Sequence, residues 1–85
     1  MAWIVHVDDV AKKALCRFPS KDAERIKVAL REFESNPYSG DIEKLGGQRF
    51  SWRRRVGSYR IFYDVLVGQH IIFVTKIKRR GSSTY

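Results

Sequence analysis

Trp52-Arg53-Arg54-Arg55-Val56-Gly57-Ser58-Tyr59-Arg60-Ile61-Phe62-Tyr63-Asp64-Val65 is the stretch whose reading decides the fold. Aromatic and β-branched residues flank Gly57-Ser58, a pair suited to a tight turn, so the segment reads as a β-hairpin with strands at about 49–56 and 58–67. Gly68-Gln69 offers a second tight turn into a third run, 70–78. Consecutive strands joined by short turns are antiparallel, so the second half reads as a three-strand meander. Side chains alternate between the two faces of a strand. Phe50 and Trp52 therefore share one face, and Ser51, Arg53 and Arg55 the other. Tyr59, Ile61, Tyr63 and Val65 form a core set with Arg60 opposite. In the last strand Ile71, Phe73 and Ile77 read as core, with Lys76, Lys78 and Arg80 of opposite parity. Stacking the three strands collects Arg53, Arg55, Arg60, Lys76, Lys78 and Arg80 on one surface, provided the register holds.

Toward the N-terminus, Ala2–Val7 reads as a strand. Asp8 or Asp9 can cap a helix whose apolar positions are Val10, Ala11, Ala14, Leu15 and Phe18, and Pro19 stops it. Ser20 is a suitable N-cap for a second helix, with Asp22 and Glu24 in its first turn. Its stripe is Ala23, Ile26, Leu30 and Phe33, with Ala29 alongside, and Asn36-Pro37 ends it. Residues 36–48, with Pro37, Gly40, Gly46 and Gly47, read as loop. The expected fold class is α+β: an N-terminal strand, an αα-hairpin, then the antiparallel meander, with the helices packed on one face of the sheet. Eighty-five residues allow one domain, 1–85, and no large enclosed cavity, so a functional site must lie on a surface or in a shallow groove.

The net charge of +8 is unevenly spread. Residues 1–43 hold seven basic and eight acidic side chains; residues 44–85 hold ten basic ones and a single acid, Asp64. An excess confined to one half implies a polyanionic partner, nucleic acid or an acidic protein segment. Guanidinium groups fixed on strands grip phosphate bidentately and stabilise charge developing on it. Phe62 and Tyr85 offer flat surfaces for stacking on bases. Charge alone, however, implies an anionic partner and not a reaction. Cys16, the only cysteine, sits among Ala14, Leu15 and Phe18 and reads as a buried apolar residue. His6 and His70 lack metal-ligand spacing, no carboxylate pair stands out, and Gly46-Gly47 after Lys44 is too short for a phosphate-binding loop. Neither a metal nor a cofactor is expected. No leader pattern or long apolar run is present, so the expectation is a cytoplasmic protein with no membrane partner.

Taken together, Lys44-Leu45-Gly46-Gly47, the run Trp52–Val65, Ile77-Lys78-Arg79-Arg80 and the tail aromatic Tyr85 resemble the signature of the RelE/ParE toxin superfamily. The resemblance spans nearly the whole chain and is most specific from Trp52 to Val65. It implies the fold inferred above and a RelE-like toxin of a type II toxin–antitoxin system. Such toxins cut messenger RNA in the ribosomal A site by attack of a 2′-hydroxyl on the adjacent phosphate. The same resemblance assigns catalysis to Arg53, Arg60, Arg80 and Tyr85. Arg60 would hold the scissile phosphate, Arg80 would neutralise transition-state charge, and Tyr85 would stack on a base or move a proton. RNA contacts would fall to Lys44, Arg55, Lys76, Lys78 and Arg79. Ser51 stands where some relatives carry a second basic residue, and Arg53, charged at neutral pH, is a poor general base. The implied partners are a cognate antitoxin, the ribosome and its message, with operator DNA contacted only through the antitoxin complex. The alternative on the same fold is a ParE-like inhibitor of DNA gyrase, a binding module without nuclease activity.

Overall fold

The computed structural model describes residues 2–45 and 51–79. Five strands and two helices follow in the order β1 (Ile4–Val7), α1 (Asp9–Arg17), α2 (Ser20–Ser35), β2 (Asp41–Lys44), β3 (Ser51–Val56), β4 (Tyr59–Leu66) and β5 (Ile71–Arg79). They form one mixed sheet in the order β1-β5-β4-β3-β2. β1, the first strand, runs parallel to β5, the last, and the other neighbours are antiparallel. The α+β fold class expected from the sequence is the one observed. The expected loop over 36–48 differs in one respect, because Asp41–Lys44 pairs with β3 as a short edge strand.

Asp8 caps α1, its carboxylate accepting from the Val10 amide at 3.4 Å. Ala11 is fully buried, and Leu15 and Phe18 pack against the core. Val10 and Cys16, both read as inward from the sequence, are exposed. At ~100° per residue Cys16 lies ~140° round the helix from Ala11, which puts it in solvent. The N-cap of α2 lies one residue earlier than expected. Pro19 occupies the N-cap position and its carbonyl accepts from the Ala23 amide at 2.9 Å, so Ser20 is already helical. Ile26, Ala29 and Phe33 are the buried stripe of α2.

The core lies between the helices and one face of the sheet. Tyr59, Ile61, Tyr63 and Val65 supply its β4 layer, all at most 4% exposed. Tyr63 stacks at a tilt on Phe33 with centroids 4.4 Å apart, and its hydroxyl donates to the Pro37 carbonyl at 2.8 Å. Burial pushes the Tyr63 phenol up to about 12. Gly57 opens the β3–β4 turn with φ +57°, as a two-residue hairpin turn with glycine first requires. In the β4–β5 connection, a 3₁₀ turn at Val67–Gln69, the left-handed residue is His70 and not Gly68.

β5 departs from the expected alternation. Its buried residues are Ile72, Val74 and Ile77, not Ile71 and Phe73. A β-bulge is the reason: Tyr63 pairs with Val74 and Phe62 with Lys76, leaving Thr75 as the extra residue. The Thr75 hydroxyl donates to the Phe62 carbonyl at 3.2 Å across this gap. Core parity is even before the bulge and odd after it. Ile71 and Phe73 consequently share the helix-free face with Lys76 and Lys78.

Candidate functional site

The helix-free face of the sheet is built from cross-strand rows, because paired residues in a sheet point the same way. One row runs Asp41, Arg55, Arg60, Lys78. The next runs Glu43, Arg53, Phe62, Lys76. A third runs Ser51, Asp64, Phe73, His6, and at the far end lie Leu66, Ile71 and Ile4. The face thus grades from cationic, through polar, to apolar.

Five of the residues singled out in the sequence come together here: Arg53, Arg55, Arg60, Lys76 and Lys78. Two do not. Lys44 pairs with Trp52 and so has the parity of the helix-bearing side. Arg79 pairs with Tyr59, and its guanidinium lies 5.9 Å from the centroid of that ring, on the same side as the helices. Their spacing from the other cations has the wrong parity for a shared surface. Arg80 and Tyr85 lie outside the described residues, as does the Gly46-Gly47 pair.

The middle member of the arginine triplet has another role. Arg54 points under the helices, where it pairs with Glu32 at 2.6 Å and packs over the Phe33 ring at 5.6 Å. Its side chain is only 12% exposed. Alternation therefore divides Arg53-Arg54-Arg55 into two surface cations and one structural tie.

Acids missed in the sequence reading lie in the site. Asp41 Oδ2 accepts from Arg55 Nε at 2.9 Å, and Glu43 pairs with Arg53. A small cavity of about 80 Å³ lies among Asp41, Glu43, Arg53, Arg55 and Arg60. The signal for this edge strand was present as an i, i+2 pair of acids matching an i, i+2 pair of arginines. Among the described residues, Arg60 and Lys78 have no ion-pair partner. Exposed pairs contribute only ~0–1 kcal/mol each, so a polyanion can displace both carboxylates. A second cavity of about 250 Å³ adjoins this cationic zone at Ser51, Phe62, Asp64 and Lys76. Lys76 Nζ stands 5.1 Å from the Phe62 centroid. The Ser51 hydroxyl donates to Asp64 Oδ1 at 2.7 Å.

This arrangement can seat a phosphate against several guanidinium and ammonium groups and a flat group beside Phe62. Among the described residues no cluster of His, Cys, Asp or Glu is placed to hold a metal ion. No helix there is long and apolar enough to cross a membrane.

Comparison with known proteins defines the class. A chain of the archaeal RelE–RelB complex from Pyrococcus horikoshii OT3 has the same fold, with a TM-score of 0.84 and 28% identity over 98% of this chain and 100% of that one. The isolated Escherichia coli RelE toxin has the fold too, with a TM-score of 0.81 and 24% identity over 98% of this chain and 89% of that one. The RelE1 protein of Methanocaldococcus jannaschii, itself assigned as a toxin, is 30% identical over 83 residues, 94% of this chain and 92% of its own. The family described as the ParE toxin of the type II toxin–antitoxin system parDE matches residues 6–83. The fold is therefore that of RelE-type toxins. The chain belongs to the RelE/ParE superfamily, the toxins of type II toxin–antitoxin systems.

Proposed function

We propose that this toxin is an endoribonuclease that cleaves messenger RNA on the translating ribosome and so stops translation. The observation that carries the reading is the pair of adjacent rows that place Arg53, Arg55, Arg60, Lys76 and Lys78 on one helix-free face. Arg60, with no acid of its own among the described residues, holds the scissile phosphate. Arg53 and Lys76 flank it in the neighbouring row and Phe62 stacks on a base. The 2′-oxygen attacks phosphorus while the bond to the 5′-oxygen breaks. A 2′,3′-cyclic phosphate and a free 5′-hydroxyl result, the 5′-oxygen leaving with a proton. Fixed cations lower this barrier by stabilising the extra charge on the phosphoryl oxygens. Arg80 and Tyr85, whose roles the family resemblance implies, complete the set. Arg55 and Lys78 contribute to RNA affinity on the same face.

A cognate antitoxin holds the toxin inactive, as the RelE–RelB complexes among its structural neighbours suggest. The proposed setting is the cytoplasm, where ribosomes are found. Primer extension on messages translated in an extract containing the toxin tests the proposal. Cleavage within codons, lost in an Arg60→Ala, Arg80→Ala double variant, is expected; full activity of that variant would overturn it. The match to the ParE family favours a second reading, inhibition of DNA gyrase. Loss of supercoiling by purified gyrase, with messages left intact, would select that reading instead.

A further inference from the structure

We propose that the cavity between the Ser51–Asp64 pair and Phe62 is a subsite for one nucleobase of single-stranded RNA, and that Asp64 selects guanine there. The inference rests on the RNA-cleaving reading and adds what the face reads.

Asp64 is the only acid of residues 44–85, yet it lies on the cationic face. Among the described residues it has no ion-pair partner. Its one hydrogen bond there is from Ser51 to Oδ1, which leaves Oδ2 open. The adjoining space is about 250 Å³, bordered by Leu45, Ser51, Phe62, Asp64, Thr75 and Lys76. A carboxylate repels phosphate, so this part of the face suits a neutral group rich in N–H donors. Guanine carries two adjacent donors, N1–H and the 2-amino group, with the O6 acceptor beside them. A carboxylate accepts both donors, and the Lys76 ammonium suits O6. Adenine and cytosine offer a single amino group next to a ring nitrogen whose lone pair faces the carboxylate. Uracil offers one N–H between two carbonyls. Phe62 supplies the stacking surface on which unpaired bases are read.

Distance separates this role from catalysis. Asp64 lies four residues from Arg60 along β4, ~13 Å at ~3.3 Å per residue, but only half that from Phe62. That puts its carboxylate beside a base stacked on Phe62 and away from a phosphate held at Arg60.

The test uses fluorescently labelled 2′-O-methyl oligouridylates, which resist cleavage, carrying G, inosine, A or C at the centre. Binding to the purified toxin is followed by anisotropy. The G oligonucleotide is expected to bind about tenfold more tightly than the A and C ones, with inosine between, since a good base-edge contact discriminates on that order. Asp64→Asn is expected to abolish the preference while tightening binding to the A and C oligonucleotides, because it removes a negative charge that repels their phosphates. A misfolded variant would instead weaken all of them. Ser51→Ala, which frees the carboxylate to rotate, is expected to reduce the preference without abolishing it. Equal affinities for all four oligonucleotides, or a G preference retained in Asp64→Asn, would overturn the subsite and leave the RNA reading standing. Failure to bind any of them, together with no cleavage in translating extracts, would overturn both.

Discussion

Asp41 and Arg55 face each other across the β2–β3 ladder with Arg55 Nε 2.9 Å from the carboxylate, and Glu43 holds Arg53 two pairs further along. The edge strand thus places two acids on two of the cations proposed to bind RNA. RNA has to displace them. Asp41→Asn with Glu43→Gln is expected to raise affinity for single-stranded RNA several-fold at low salt. Its salt dependence should steepen by about 0.7 in log–log slope for each arginine freed. The stability cost should stay within about 1 kcal/mol per pair, because both pairs are exposed. Anisotropy titrations at several salt concentrations check the first two expectations and urea denaturation the third.

Arg60 sits at the centre of the cationic row, between Arg55 and Lys78. Arg60→Ala is expected to lower message cleavage by roughly 100-fold or more, the scale seen when one fixed group that stabilises transition-state charge is removed. Its half-buried side chain has no ion pair among the described residues, so the melting temperature should move little. Primer extension quantified against time, with a thermal melt of the same sample, separates the two effects.

Arg54 and Arg55 are neighbours with opposite consequences. Arg54→Ala removes an ion pair to Glu32 and the packing over Phe33. A loss of about 2 kcal/mol is expected, below the ~3–5 kcal/mol for breaking a fully buried pair because Glu32 is half exposed. Arg55→Ala is expected to cost under about 1 kcal/mol and to weaken RNA binding instead. Chemical denaturation of the two variants should therefore differ where their charge change is the same.

Tyr63 makes the fold sensitive to alkali. Burial pushes its phenol up to about 12, whereas in the unfolded chain it ionises near the ordinary 10.0. The folded state thus keeps a proton that the unfolded state releases. This contribution to stability is fully present below pH 10 and is lost as pH rises toward 12. Tyr63→Phe should flatten that window, at a cost of about 0.5–1.5 kcal/mol at neutral pH for the lost hydrogen bond to Pro37. Urea midpoints measured from pH 7 to pH 11 check both.

Much of the site was legible in the chain. On β3 and β4 strict alternation holds, so Arg53, Arg55 and Arg60 could be assigned to one face from their spacing alone, with Tyr59, Ile61, Tyr63 and Val65 to the other. The hairpin turn at Gly57, the proline break between the helices and the α2 stripe are local signals, and each was readable. Lys44 and Arg79 were grouped with the other cations by resemblance, although their parity sets them apart.

What alternation and composition determined was the fold class and a cationic surface, because side-chain direction in a regular strand follows from position. The tertiary structure decided the rest. The extra residue at Thr75 reverses parity within β5, a shift that depends on which β4 residues it meets. The pairing of Asp41 and Glu43 with the arginines depends on a short strand with little propensity of its own, held by its neighbour. The exposure of Cys16 depends on which side of α1 the sheet lies. The arginine-rich second half thus became a graded face, with two arginines held by acids and one without an acid partner among the described residues. That ordering arises from cross-strand register, which no single segment encodes.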